Sequence, residues 1–123
     1  MNLQPRNVTS TATETIERPR KPVFIRAVGA PVSQHDRDYI RRKLARRLRK
    51  FEEVVERTSV RIEDINGPRG GVDKRCRIKV VLSGFPSVVV EERHYSPQAA
   101  IDGALDRVER TVWRTIRRRR TRH

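Results

Sequence analysis

The sequence has one cysteine, one methionine and one tryptophan, and aromatic residues make up only 5% of its 123 positions. A lone Cys76 excludes an intrachain disulfide and points to a reducing, cytoplasmic setting. No apolar run approaches the ~20 residues of a membrane-crossing helix, and no signal-peptide core is present. The Ser- and Thr-rich start resembles a transit peptide in composition, but Glu14 and Glu17 argue against one, because such leaders are poor in acids. His35, His94 and His123 stand apart, so no His or Cys pair has the spacing of a metal site. Gly67, Gly70 and Gly71 fall in a turn between strands and lack the Lys-Ser/Thr of a phosphate-cradling loop. No catalytic residue, metal, cofactor or small-molecule substrate is therefore expected.

Acids are scarce too. The 15 Asp and Glu face 29 Lys and Arg, a formal net charge of +14, and the isoelectric point is near 11.4. Such an excess destabilises a fold by self-repulsion unless a polyanion neutralises it, and nucleic acid and an acidic membrane surface are the candidates. Arginine dominates over lysine, which favours phosphate, because guanidinium offers a planar fork of donors.

What remains is periodic. Residues 1–21 are polar and read as a loosely held arm, residues 22–119 as one domain, and 120–123 as a basic tail. Val23 to Val28 reads as a strand stopped by Gly29-Ala30-Pro31. Ser33 then looks like a helix N-cap with Asp36 at the capping-box position. Behind it Ile40, Leu44, Leu48, Phe51 and Val55 fall within a sector of roughly 80° at helical spacing. That stripe predicts a first helix over about 34–56. A second strand carries Val60 and Ile62 on one face. After a turn at 66–71, a third places Cys76, Ile78, Val80 and Leu82 on one face against Arg75, Arg77, Lys79 and Val81 on the other. Ser83-Gly84-Phe85-Pro86 turns into a fourth strand over 88–92. Ser96 as N-cap and Pro97 at the first helical position open a second helix. Its apolar stripe is Ile101, Leu105, Val108, Val112 and Ile116. The predicted fold class is α+β, in the order β-α-β-β-β-α, with a four-stranded sheet and both helices packed on one face.

Opposite its apolar stripe each helix carries a basic one: Arg42, Lys43, Arg46, Arg49 and Lys50 on the first, Arg107, Arg110, Arg114, Arg117 and Arg118 on the second. An ordinary solvated face intersperses signs and uses pairs four residues apart. These stripes contain almost no acids, which marks them as candidate phosphate-binding surfaces. Two basic helices side by side make a broad surface suited to folded RNA, which is read by shape, phosphates and 2′-hydroxyls. Arg75, Arg77 and Lys79 on the third strand join them as candidate contacts. Rings are too few there for base stacking on the sheet. Asp36, Asp38, Asp102 and Asp106 read as helix N-terminal acids, Cys76 as a core residue, and Trp113 as an edge-of-core residue.

On Ala99-Ala100-Ile101-Asp102-Gly103, running into Leu105-Asp106-Arg107-Val108-Glu109-Arg110, the chain resembles the ribosome hibernation-promoting factors and ribosome-associated inhibitors. Tyr39-Ile40-Arg41-Arg42-Lys43-Leu44 is similar to an aromatic-aliphatic-x-x-Lys-apolar segment of that family's first helix, and Phe51 matches an aromatic further on. The resemblance spans about residues 23–119. It implies a stress- or stationary-phase factor that binds 16S-type rRNA in the decoding region of the small ribosomal subunit. There it lies across the path of mRNA and tRNA and silences idle ribosomes. Three departures stand out. Ser96-Pro97-Gln98 replaces the usual Asp-Met-Tyr segment. Leu48 stands one residue later than the family's second core leucine, where this chain has Arg47. The arm has no counterpart in the short members, and the dimerisation domain of the long members is not expected. The competing readings are a general double-stranded RNA binder, whose usual order is α-β-β-β-α, and a regulator that docks on acidic partners or anionic lipid. A membrane partner is not expected, because the apolar stripes are used by a sheet core and lack interfacial Trp or Phe.

Overall fold

A computed structural model describes residues 21–29, 31–65 and 74–121, the last three by their backbone alone. The arm over 1–20, the turn at 66–71 and residues 122–123 lie outside the described residues. The elements are β1 (Val23–Val28), α1 (Gln34–Arg47), a 3-10 turn (Arg49–Phe51), β2 (Val55–Asp64), β3 (Lys74–Leu82), β4 (Val88–His94) and α2 (Pro97–Thr121). The strands form one mixed sheet in the order β1-β2-β3-β4. β1 runs parallel to β2, and the remaining pairs are antiparallel. The α+β order β-α-β-β-β-α is the one the sequence predicts.

α1 starts as its capping box dictates. Asp36 N–H donates to Ser33 Oγ at 3.0 Å, and Ser33 N–H donates back to the Asp36 carboxylate at 3.3 Å. Its end departs from expectation. The helix stops at Arg47, Leu48 caps it with an N–H to Leu44 O bond of 2.9 Å, and the 3-10 turn follows. Val55, expected as the last residue of the helix stripe, is the first residue of β2. All five stripe residues are nonetheless buried. A bulge between Val55 and Arg57 adds one residue to β2 opposite β3. The extra residue turns both Val55 and Thr58 inward, three positions apart, a spacing that mimics a helix.

α2 begins at Ser96, whose Oγ accepts from Ala99 N–H at 3.1 Å. Its stripe is buried from Ile101 to Ile116, with Ala100 and Ala104 fully enclosed beside it. Gly103 lets the helix close on β4. A Cβ there would stand 3.0 Å from Glu92 Oε1 and 3.2 Å from His94 Nε2. Gly84, with φ +82°, makes the β3–β4 turn in a conformation that L side chains rarely adopt. The core thus lies between one face of the sheet and the two helices, with Cys76, Ile78 and Val80 at its centre. Lys21 joins the domain as well: its Nζ donates to Val55 O at 2.8 Å.

Candidate nucleic-acid interface

Polar contacts between the helices set their outer faces side by side. Near the start of both, Tyr39 Oη donates to Asp102 Oδ1 at 2.7 Å. Further along, Arg47 meets Asp106 at 2.6 Å and Glu109 at 3.7 Å, and Lys50 reaches Glu109 at 3.7 Å. The contacts advance together along both helices, so α1 and α2 run in the same direction. Asp102 and Asp106 therefore serve as partners for the neighbouring helix, not as the dipole-compensating acids their sequence position suggests. The residues that build this seam, Tyr39, Arg47 and Glu109, escape wheel analysis because each belongs to a flank between core and solvent.

The seam engages Asp102, Asp106 and Glu109 and leaves most of the helix-borne cations outside it. Among the described residues, Arg42, Arg49, Arg110, Arg114 and Arg118 have neither hydrogen bond nor ion pair, and all but half-buried Arg42 are exposed. Lys43 lies over the Tyr39 ring, 5.6 Å from its centroid. Arg46 and Arg117 are exposed on the same two outer faces. Arg49 and Lys50 belong to the 3-10 turn, where they extend the basic face past the end of α1. Arg107 differs from its neighbours. It donates to Glu91 O at 2.9 Å and Glu92 Oε2 at 2.8 Å, so it ties α2 to β4.

Trp113 sits at the core's edge, where the helical wheel places it. One side faces Phe51 at a centroid distance of 6.3 Å, yet 47% of the residue is exposed. Lys50 Nζ lies 5.9 Å from its ring. A groove of about 480 Å³ opens beside it, lined by Arg47, Lys50, Asp106, Glu109 and Arg110.

The three strand candidates are not brought to this surface. Arg75, Arg77 and Lys79 lie on the sheet face turned away from the helices, alternating with buried Cys76, Ile78 and Val80. Arg75 is held there by Glu63, with Glu91 at 3.7 Å. The Arg75 hydrogen bond keeps the Glu63 carboxyl below the usual carboxylate range, against the opposing effect of burial. Glu92 is held low in the same way by Arg107, with help from His94. Cys76 is fully enclosed, and burial pushes its thiol up to about 12. Among the described residues no three His, Cys, Asp or Glu side chains gather as metal ligands. No described helix is long and apolar enough to cross a membrane.

Residues 23–120 match the family model described as sigma 54 modulation protein / S30EA ribosomal protein. The chain belongs to this ribosome-associated family. The N-terminal domain of Thermus thermophilus Protein Y superposes with a TM-score of 0.61 at 30% identity, over 76% of this chain and 97% of that one. A ribosomal subunit interface protein from Coxiella burnetii shares the fold, with a TM-score of 0.59 at 14% identity, over 72% of this chain and 89% of that one. No match was found among curated proteins.

Proposed function

We propose that this protein is a hibernation-type translation inhibitor of the cytoplasm, which docks on the small ribosomal subunit through the joined outer faces of α1 and α2. Its target in this reading is small-subunit rRNA in the decoding region, where bound protein blocks mRNA and tRNA on idle ribosomes. The observation that carries the reading is the cross-helix seam. It pairs Asp106 and Glu109 with Arg47 and Lys50, while Arg49, Arg110, Arg114 and Arg118 on the outer faces are exposed cations with no partner among the described residues. Such a surface is paid for in self-repulsion and is neutralised by the closely spaced phosphates of folded RNA. The family membership supports ribosome binding, and the Coxiella protein of the same fold is a ribosomal subunit interface protein.

The test is sedimentation of purified protein with ribosomal subunits on sucrose gradients at moderate salt, alongside cell-free translation. Co-migration with small subunits or whole ribosomes and inhibition of translation are expected. Protein that stays in the ribosome-free fraction even at low salt overturns the proposal. Equal affinity for an unrelated RNA duplex turns it toward general double-stranded RNA binding.

A further inference from the structure

The sheet face turned away from the helices carries its own basic row, and folding does not account for it. Strand register sets Arg26 opposite Arg61, and Arg61 opposite Arg77, so three arginines stand side by side across β1, β2 and β3. Like charges directly opposite one another on a sheet repel. Arg61 finds relief from Glu63 at 3.2 Å, while Arg26 and Arg77 have no partner among the described residues. Glu91 ends the row on β4 but makes its ion pair with Arg75 instead. Lys79, likewise unpaired, lies one row away, level with Ser59 and therefore with Phe24, a ring that is 58% exposed.

We infer that this outer sheet face is a second RNA-binding surface, so that the domain holds one RNA segment against its helices and another against its sheet. The inference rests on the proposed RNA binding by the helix face. Charge chooses the occupant. A second copy of this chain would bring the same arginine row against itself. The two exposed apolar side chains of the next row, Phe24 on β1 and Val89 on β4, are set apart by Ser59 and Lys79 and make no contiguous patch fit for a protein core. A sugar-phosphate backbone neutralises a row of neighbouring arginines, so phosphate contacts and not base stacking carry this surface.

Bridging is the property that a single binding face does not have. Two short RNA hairpins, one with a donor dye and one with an acceptor, are mixed with the full chain, and energy transfer is followed against protein concentration. The wild type is expected to produce transfer that rises and then falls once protein exceeds RNA, because each hairpin then takes its own protein molecule. R26Q/R61Q/R77Q is expected to lose transfer while still binding a single hairpin by fluorescence anisotropy. R6Q/R18Q/R20Q removes the same charge from the N-terminal segment and is expected to retain transfer. Lys79 acetylation offers a reading on unaltered protein: the bridged complex should protect it, and protein holding one hairpin should not. Single-hairpin binding without transfer by the wild type overturns the inference and leaves the helix-face reading intact. Transfer that survives in the sheet variant, or is lost equally in the arm variant, also overturns it. So does wild-type protein that sedimentation equilibrium shows to be a dimer which the sheet variant dissociates, because the occupant is then a second copy. If the wild type binds neither hairpin nor ribosome, both readings fall.

Discussion

Tyr39 Oη lies 2.7 Å from Asp102 Oδ1, and the bond joins the first half of α1 to the second turn of α2. The same oxygen accepts from Gln98 Nε2 at 3.2 Å, so the carboxylate is fixed from both sides. Hydrogen bonding to Asp102, then burial, then the carboxylate's charge raise the Tyr39 phenol above its ordinary value of 10.0. A raised folded value means that the neutral phenol stabilises the fold below pH 10, and that this contribution disappears as pH climbs through the folded value. Tyr39→Phe should lower the urea midpoint with an unchanged slope, by about 1 kcal/mol for one net hydrogen bond. In a Tyr95→Phe background, Tyr39 is the only tyrosine absorbing, and its half-titration should fall above 10.0. Titration at or below that value would mean that the two helices are not joined here.

At the other end of the pH scale, Glu63 and Glu92 govern. Arg75 and Arg107 hold both carboxyls low in the fold, so the unfolded chain binds more protons in acid than the native one. Their contribution is complete above the ordinary carboxylate value of 4.5 and drains away as pH falls through the lowered folded values. Glu63→Gln with Glu92→Gln should lower the melting temperature at pH 7 and flatten its decline between pH 5 and pH 3. A double variant whose melting curve runs parallel to the wild type across that interval counts against the assignment.

Cys76 offers a direct probe of core opening. With the side chain fully enclosed and its thiol pushed up to about 12, neither access nor thiolate is available in the native state. A disulfide reagent at pH 8 should leave the folded protein unlabelled for as long as it stays folded. Labelling should begin across the urea transition, and rapid labelling of native protein would show that the sheet centre is open.

Much of this architecture can be read from the chain. β3 alternates without a break, and Ser96-Pro97 marks the start of α2 by the chemistry of its hydroxyl and ring. The end of α1 is invisible for a physical reason. No Gly, Asn or Pro follows Arg47 to stop it, and the 3-10 turn and the start of β2 continue an apolar spacing of three to four residues down to Val55. The helix-borne cations are legible because like charges recur at helical spacing. The arginine row is not, since Arg26, Arg61 and Arg77 are neighbours only once the register of three strands is known. The seam is hidden for the same reason, as Arg47 and Asp106 lie 59 residues apart.

The division between seam and surface yields a last prediction, in which paired and unpaired cations behave in opposite ways. Arg47 is committed to Asp106 and Glu109, whereas Arg110 and Arg114 point outward with no partner among the described residues. Arg47→Gln should cost up to about 1 kcal/mol of stability, as a partly exposed ion-pair network does, by releasing both acids. Its effect on the salt dependence of ribosome binding should be small, because Arg47 faces the neighbouring helix and not the proposed RNA surface. Arg110→Gln with Arg114→Gln should leave stability within about 0.5 kcal/mol, since neither side chain holds anything in place. The plot of log affinity against log salt should flatten by about one to two units, because each phosphate contact contributes a slope of roughly 0.7 to 0.9. Urea melts and filter binding at several salt concentrations give both quantities for both variants. If the double variant binds with an unaltered slope, or if Arg47→Gln flattens the slope as much, the outer helix faces are not the RNA contact, and the sheet row becomes the primary surface.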